Sequence, residues 1–352
     1  MNVFGVTHKT YPPLLSTNYE RPNLCFTSFH TSWVFCCVYT LDFCIPLWYN
    51  LKRRAGEYMK ENSFLCPDGK TILVKDCMKE CRMKQRCLAK PLLVNASRLR
   101  DLNRTHFSVT EVLSPTLYMY LKANNPETIN PFSSIAATVG TSVHGILENC
   151  LPQNYAGEFR LEYQGLTGQM DCIDLEHHTL YDYKVVGAYK CATMMGGRPL
   201  WRPYIISKGK RKGETEMRQQ WVYDGLHHYG DYCKQQNLYR ILLNKHGIPI
   251  KDMFLQVIIK EPINTIKTFN LDKQCYLLQL PKMNDQRLLD YALYKKDALV
   301  EAIATNRLPK ECSAKDRWVS KTYPLGRKCQ DYCSVSYCCP YYQKKLQEKK
   351  KR

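Results

Sequence analysis

The chain has 352 residues, and its 51 Lys and Arg side chains against 32 Asp and Glu give a net charge of +19 at pH 7. A chain of this length buries its own hydrophobic core, so its 18 cysteines do not indicate the class of small secreted domains that depend on disulfides. The positive charge favours a polyanionic partner, because Lys and Arg that neutralise phosphates release condensed counterions.

The first 58 residues differ in composition from the rest. Residues 33–51 are largely apolar but contain Asp42 and Pro46, and they only just reach the length of a membrane span. A single membrane anchor is one interpretation. We favour another, in which the product begins at Met59 and the upstream segment is translated from an early start codon or is disordered. Since no cleavable signal peptide is recognised, a cytoplasmic location without a membrane is expected.

A cysteine-rich N-terminal module is predicted for residues 59–95. Four thiolates are the number needed for a tetrahedral zinc ion or an iron-sulfur cluster, and this module contains Cys66, Cys77, Cys81 and Cys87. The last three have the spacing Cys-x(3)-Cys-x(5)-Cys, which recurs near the C-terminus. The module is therefore a candidate metal site.

Residues 96–306 are predicted to form an α/β core, with a mixed central sheet flanked by helices. Apolar residues alternate on both sides of a polar turn at 176–179, which predicts a β-hairpin. In chain order, the predicted elements are an amphipathic helix that contains His144, a strand at 158–163, hairpin strands at 169–175 and 180–186, a basic loop at 208–214, a helix at 216–235, a strand at 253–260 and an amphipathic helix at 284–306.

The predicted hairpin carries three charged side chains that converge. Side chains two residues apart in a strand share a face, so Asp182 and Lys184 project together, and pairing across the turn brings Asp171 beside them. Carboxylate oxygens suit a hard divalent cation such as Mg²⁺ or Mn²⁺, which activates water and neutralises charge on a phosphate. The hairpin therefore predicts a site for phosphoryl transfer.

The order Gly-x-x-Asp171-x(10)-Asp182-x-Lys184 resembles the core motif of the PD-(D/E)XK nuclease superfamily, in particular its RecB-like exonuclease branch. Upstream, Gly-Thr-Ser-Val-His-Gly-Ile-Leu-Glu at 140–148 resembles the helix that supplies a histidine to the metal. Downstream, Gln-Gln-Trp-Val-Tyr at 219–223 resembles the Gln-x(3)-Tyr motif that follows the catalytic strand. The resemblance implies a restriction-endonuclease-like core with cysteine-rich metal-binding modules at both ends.

The same resemblance implies a role for each matched residue. The side chains of His144, Asp171 and Asp182 and the backbone carbonyl of Tyr183 would bind the metal. Lys184 would orient the attacking water or stabilise the transition state. The alternative for the histidine is an ordinary core or surface position, since a lone histidine on an amphipathic helix is seldom a ligand.

Two further catalytic residues are implied by the downstream motif. Gln219 and Tyr223 lie at i and i+4 on the predicted helix at 216–235, so they share one face. By the resemblance, they position Lys184 and the phosphate. Packing is the competing role for Tyr223, because the neighbouring positions hold several other aromatic side chains.

A C-terminal cysteine group and a basic tail occupy residues 307–352. The group comprises Cys312, Cys329, Cys333 and Cys339, with Cys338 as an alternative last ligand. Many RecB-like nucleases, including CRISPR-associated exonucleases, bind an iron-sulfur cluster through a cysteine trio placed similarly, although their trio often begins Cys-x(2)-Cys and here the first spacing is longer by one. The resemblance implies a [4Fe-4S] cluster, with zinc as the alternative. Either Cys312 completes a local cluster or an N-terminal cysteine such as Cys87 does. We favour the local arrangement, because it leaves the N-terminal four as a separate site.

Taken together, the motifs predict a Mg²⁺- or Mn²⁺-dependent DNA exonuclease of recombination, repair or phage DNA metabolism. A DNA with a single-stranded end is the expected substrate, and a helicase or recombination protein is a candidate partner. One alternative is a catalytically inactive nucleic-acid-binding module of the same fold. Another is a hydrolase directed at RNA or at a small molecule.

Overall fold

The computed structural model describes residues 62–98, 106–225 and 227–351, and the predicted extension at 1–58 lies outside them. Within these ranges the protein has a mixed α/β fold of eleven strands in three sheets, with twelve α-helices. The prediction of an α/β protein is confirmed. Over the same ranges, no helix combines the length and the apolar composition that crossing a membrane requires.

The strands fall into three sheets by their pairing. They are β1 Ser63–Leu65, β2 Thr71–Leu73, β3 Phe107–Ser108, β4 Thr128–Ile129, β5 Tyr155–Tyr163, β6 Leu166–Asp174, β7 Thr179–Val186, β8 Gly197–Ile205, β9 Thr215–Tyr223, β10 Asp252–Ile259 and β11 Cys275–Gln279. One sheet has the order β2-β1-β4, the central sheet contains β3, β5, β6, β7, β10 and β11, and β8 pairs with β9.

The helices connect and cover these sheets. They are α1 Val74–Lys79, α2 Lys90–Ala96, α3 Val109–Leu113, α4 Thr116–Asn124, α5 Ser134–Glu148, α6 Ala188–Met194, α7 Gly230–Lys245, α8 Ile263–Lys267, α9 Asp285–Thr305, α10 Ala314–Arg317, α11 Arg327–Asp331 and α12 Pro340–Lys351. The predicted amphipathic helix at 284–306 is confirmed as α9. Its N-cap is Asn284, whose side chain accepts a hydrogen bond from the Arg287 amide, and its C-cap is Asn306, in the left-handed conformation.

The central sheet is a meander followed by a crossover. β5, β6 and β7 pair antiparallel in sequence, and β10 then pairs in parallel with β7 after the intervening helices. β11 adds an antiparallel edge, and β3 pairs in parallel with the first residues of β6. The predicted hairpin at 169–186 and the strand at 253–260 are confirmed. Their alternating apolar side chains form strands because one face of the sheet is buried under the helices.

A glycine sets how closely α7 packs on this sheet. A Cβ added at Gly168 in β6 would lie 2.8 Å from Leu242 and 2.9 Å from Tyr239, both in α7. Any larger side chain would push the helix away from the strands. The glycine that opens the Gly-x-x-Asp motif is therefore explained by helix packing, which brings α7 over β6 and β7.

The predicted helix at 216–235 is wrong. Residues 215–223 form β9, and the following helix, α7, begins only at Gly230. β9 pairs with β8, a strand that periodicity did not predict, and Gly225 has φ +78, a conformation that ends regular structure before α7. Pairing with a partner strand therefore overrides the helical spacing in this segment.

The N-terminal cysteines lie next to a small sheet whose strands are not continuous in sequence. β1 pairs with β2 and also, in parallel, with β4, so residues outside the predicted range 59–95 complete it. Residues 126–128 contact both cysteine-bearing regions: the Ser63 amide donates to the Glu127 carbonyl, and the Thr128 amide donates to the Ser334 carbonyl, each at 3.0 Å. This loop joins the two cysteine-bearing regions.

Candidate metal centre

The β6–β7 hairpin places Asp171 and Asp182 next to each other. The register of the hairpin extends from Asp174–Thr179 to Cys172–Tyr181, so Asp171 and Asp182 are the next residues beyond the last pair, on the side away from the turn. The carboxylate of Asp171 accepts a hydrogen bond of 2.8 Å from the Tyr183 amide. This bond orients the carboxylate at the point where β7 carries the Asp-x-Lys motif.

His144 reaches the same point from α5. Its Nδ1 lies 3.4 Å from Oδ1 of Asp171, and its Nε2 lies 3.0 Å from the carbonyl oxygen of Tyr183. The hydrogen bond with Asp171 raises the pKa of His144 above its usual value. The predicted ligands His144 and Asp171 and the Tyr183 carbonyl are thus brought together.

Glu158 is a further member of this cluster, and the sequence analysis did not identify it. One ligand atom from each of Glu158, His144 and Asp171 lies within 4.8 Å of the other two. In the β5–β6 register, Glu158 falls opposite Asp171, between the pairs Gly157–Cys172 and Phe159–Met170. Two carboxylates on facing positions repel each other, so this pair is suited to a shared cation.

The backbone at Glu158 supports a functional role. Its φ is +48, which is uncommon for a residue other than glycine. Burial raises the pKa of the Glu158 carboxyl, and the nearby charge of Asp171 raises it further. Strained backbone and a perturbed carboxylate at one position are typical of functional sites. The sequence signal was weak, because Glu158 is only one of several charged residues in β5.

Asp182 is fully buried and held by two side chains. Its Oδ1 accepts a 2.7 Å hydrogen bond from Nε2 of Gln236 in α7, and its Oδ2 is ion-paired with Lys184. Burial raises the pKa of Asp182, although the ammonium of Lys184 opposes this shift. Asp182 therefore lies at the site, with its carboxylate committed to Gln236 and Lys184.

Lys184 connects the buried carboxylate to the cluster. Its ammonium donates a 3.4 Å hydrogen bond to the carbonyl of Tyr183, the same oxygen that contacts His144. The ammonium also lies 5.6 Å from the centre of the Tyr232 ring. The predicted catalytic lysine is thus fixed beside the candidate metal ligands by three separate contacts.

The structure places Gln219 and Tyr223 elsewhere. Both lie on β9, where Gln219 is exposed and pairs with Trp201. The Tyr223 hydroxyl donates a 2.6 Å hydrogen bond to the carbonyl of Phe269, and burial raises its pKa to about 12. Tyr223 therefore has a structural contact, which agrees with the packing role that its aromatic neighbours suggest.

Gln236 is the glutamine that contacts the site. It is buried, and its Nε2 donates to Asp182. Its Oε1 has no hydrogen-bond partner among the described residues, so burial of that oxygen costs free energy. The adjacent pair Gln235 and Tyr239 repeats the Gln-x(3)-Tyr spacing and is hydrogen-bonded at 3.0 Å. This second occurrence, in the largely buried helix α7, is the sequence signal that could have pointed to a glutamine at the site.

The C-terminal cysteines line one cavity beside α4. Its lining includes Cys312, Cys329, Cys333 and Cys339, together with Leu117 and Tyr118. Burial raises the pKa of Cys312 to about 11 and that of Cys333 to about 12, and the neighbouring cysteines contribute to both shifts. The four predicted ligands are thus brought together, and their thiolates would need a bound cation to be stable there.

The N-terminal cysteines also lie near one another. Burial raises the pKa of the Cys77 thiol, and Cys66, Cys81 and Cys87 raise it further through their charges. The guanidinium of Arg86 donates to the Cys77 carbonyl at 2.8 Å and holds the end of α1. A second cluster of four cysteines is therefore consistent with the packing of this module.

No family model, curated protein or solved structure matches this chain. The functional argument therefore depends on the residues of the site and on their geometry.

Proposed function

We propose that the protein is a Mg²⁺- or Mn²⁺-dependent DNA nuclease of the PD-(D/E)XK type that hydrolyses phosphodiester bonds from a DNA end. The observation that carries the proposal is the convergence of His144, Glu158, Asp171 and the Tyr183 carbonyl, with Lys184 beside them. The meander of β5, β6 and β7 and the parallel strand β10 also support it, since this order is similar to a restriction-endonuclease-like core.

The ligand set fits a hard divalent cation. Two carboxylates, a backbone carbonyl and an imidazole nitrogen are the donors that Mg²⁺ or Mn²⁺ accepts in proteins. When bound there, the cation would activate water and neutralise charge that develops on the phosphate. Glu158 and Asp171 would be the anionic ligands beside His144, while Asp182, whose carboxylate contacts Gln236 and Lys184, would hold Lys184 in place rather than bind the cation.

Lys184 supplies fixed positive charge next to these ligands. Asp182 holds its ammonium by an ion pair, and Gln236 holds Asp182 in turn. A charge that is already in place when the substrate binds requires no reorganisation as the phosphate becomes more negative. Lys184 would orient the attacking water or stabilise the transition state, while Gln236 is a positioning residue.

The C-terminal cysteines would hold a [4Fe-4S] cluster, with zinc as the alternative. The four predicted ligands line one cavity, and four thiolates are the number that either group requires. Anaerobic purification followed by an absorption spectrum and iron analysis distinguishes the two, and a colourless, iron-free protein would exclude the cluster.

The net charge of +19 supports a nucleic acid as substrate. A helicase or recombination protein is the class of partner that would supply a DNA end.

Cleavage of end-labelled single- and double-stranded DNA with Mg²⁺ or Mn²⁺ tests the proposed function. Lys184→Ala is expected to lower the cleavage rate by about 10²- to 10³-fold, because it removes preorganised charge. Lys282→Ala, which changes an exposed lysine, is the matched control and should cleave normally. The product ladder of the wild-type protein would report the polarity.

Two outcomes would contradict the nuclease assignment. Equal cleavage by the wild type and Lys184→Ala would indicate a contaminating nuclease. DNA binding without cleavage by the wild type would favour an inactive binding module. A labelled RNA of the same sequence, cleaved in preference to DNA, would replace DNA as the substrate.

A further inference from the structure

A two-stranded ribbon, formed by β8 and β9, stands beside the central sheet. Among the described strands, these two pair only with each other, over nine positions from Gly197–Tyr223 to Ile205–Thr215. Residues 206–214 join them. An isolated pair of strands gains little stability by itself, and most side chains of this ribbon are exposed. Stabilisation of the fold therefore does not account for the exposed side chains.

One face of the ribbon is apolar. Cross-strand partners share a face, so Trp201, Pro203 and Ile205 lie on the same face as Met217 and Gln219. Trp201 is 65% exposed, Ile205 67% and Met217 57%. A row of exposed apolar groups of this kind is a candidate binding surface.

The opposite face is cationic. Arg198, Arg202 and Arg218 lie on it, and Arg202 pairs directly with Arg218 across the strands. Like charges at facing positions are unfavourable unless an anion comes between them. The guanidinium of Arg218 lies 3.9 Å from the centre of the Tyr204 ring, and Glu216 provides a partial counter-charge. The face retains an excess of positive charge.

The tip of the ribbon adds further lysines. Lys208, Lys210 and Lys212 are exposed within residues 206–214, while Arg211 is ion-paired with Glu214 at 2.7 Å. Across both strands and the tip, seven Lys and Arg residues accompany two Glu residues. The charge thus matches a phosphate backbone, and an acidic ligand is favoured over a neutral one.

Aromatic and cationic groups connect the base of the ribbon to the candidate metal centre. Trp221, on the apolar face, packs edge-to-face against Tyr189, with ring centres 5.7 Å apart, and Tyr189 is largely exposed. The next residue, Lys190, places its ammonium 5.5 Å from the Tyr232 ring. The ammonium of Lys184 lies 5.6 Å from the same ring. A nucleic-acid strand that lies along these groups would extend from the ribbon to Lys184.

We propose that the β8–β9 ribbon binds single-stranded DNA and leads it to the candidate metal centre, an inference that rests on the proposed nuclease function. Unpaired bases stack on the apolar face around Trp201, and phosphates contact the lysines of the tip. Bases in a duplex keep their faces covered, so an exposed tryptophan selects a single strand. A protein partner is the other outcome of the test.

Fluorescence anisotropy of labelled oligo(dT) and of a blunt duplex, in EDTA so that no cleavage occurs, measures this binding directly. Trp201→Ala is expected to bind oligo(dT) about tenfold more weakly and to bind the duplex almost as well as the wild type. Tyr294→Ala removes another exposed aromatic side chain, in α9, and should leave both affinities unchanged. Melting temperatures check that all variants fold.

Replacing Lys208, Lys210 and Lys212 by Gln tests the phosphate contacts. The slope of log K against log salt for oligo(dT) should fall by about 2, at about 0.7 for each phosphate lost. Normal oligo(dT) binding by Trp201→Ala, or equal losses on both DNAs, would overturn the proposal. Because the binding assay contains no metal, it does not depend on cleavage, so a failure of the ribbon proposal is separable from a failure of the nuclease assignment.

Discussion

The β6–β7 hairpin and the β8–β9 ribbon are both antiparallel pairs of similar length, but they differ in their surroundings. The hairpin lies within the central sheet, where α7 and the neighbouring strands bury Asp182. The ribbon pairs with no other described strand and exposes Trp201. A strand pair inside the central sheet thus holds its side chains at fixed positions, whereas a strand pair outside it leaves its side chains exposed to a partner.

The difference extends to how each region handles charge. In the hairpin, Asp182 is held by Gln236 and Lys184 at fixed positions. Burial strengthens each of these contacts and raises the free-energy cost of losing one. In the ribbon, Arg211 and Glu214 form an ion pair that is more than half exposed and contributes little to stability. We therefore expect substitutions in the hairpin to alter chemistry and folding, and substitutions in the ribbon to alter affinity for DNA.

After Lys184, the largest effect is expected for Glu158, which tests whether the hairpin cluster is a metal site. Glu158→Gln keeps the shape of the side chain but removes its charge. The Mn²⁺ concentration for half-maximal cleavage should rise by about 10- to 100-fold. Glu214→Gln is the matched control in the ribbon and should leave the Mn²⁺ dependence unchanged. The same Mn²⁺ dependence in both variants would remove Glu158 from the site.

An intermediate effect is expected for the two glutamines, and it tests which of them supports Asp182. Gln236→Ala deprives a buried carboxylate of its donor, so the free energy of unfolding should fall by about 1–3 kcal/mol in urea denaturation. Gln219→Ala, at an exposed position of the ribbon, should change it by less than about 0.5 kcal/mol. A larger loss of cleavage in Gln219→Ala than in Gln236→Ala would reverse our assignment.

The smallest effect concerns the turn of the hairpin. Asp174 accepts hydrogen bonds from the amides of Glu176 and His177. Burial alone would raise its pKa, but hydrogen bonds from His177 and Tyr155 outweigh this and lower the pKa to about 2. A lowered pKa stabilises the folded state above the ordinary value of about 4, and this stabilisation is lost as pH falls towards 2.

Asp174→Ala should therefore destabilise the protein at pH 7 by about 1 kcal/mol, an amount limited because the partner His177 is 71% exposed. The difference from the wild type should shrink as the pH is lowered from 5 to about 2, as measured by thermal unfolding at each pH. A difference that is independent of pH would show that packing, rather than the charge of Asp174, closes this turn.

Periodic elements were predictable from the sequence alone. The strands of the hairpin, β10 and α9 alternate or repeat their apolar residues over whole elements, and their positions agree with the prediction. The segment at 216–235 was not predictable in this way, because Gln219 and Tyr223 fit the spacing of a helix and equally that of a strand, where i and i+4 also share a face.

The residues that complete the candidate site depend on long-range contacts. Glu158 acquires its place opposite Asp171 from the register of β5 on β6, and no local pattern distinguishes it from Glu162 in the same strand. Gln236 meets Asp182 across 54 residues of sequence, because Gly168 allows α7 to approach the sheet. Neither contact could be inferred from spacing.

By itself, the sequence determined the hairpin, its Asp-x-Lys motif and the grouping of the cysteines, because strand periodicity and ligand spacing are local properties of a chain. Only the tertiary structure decided which carboxylate faces Asp171, which glutamine holds Asp182, and that the segment after α6 becomes an exposed ribbon. Those outcomes follow from strand register and from helix packing, which join residues that are distant in the sequence.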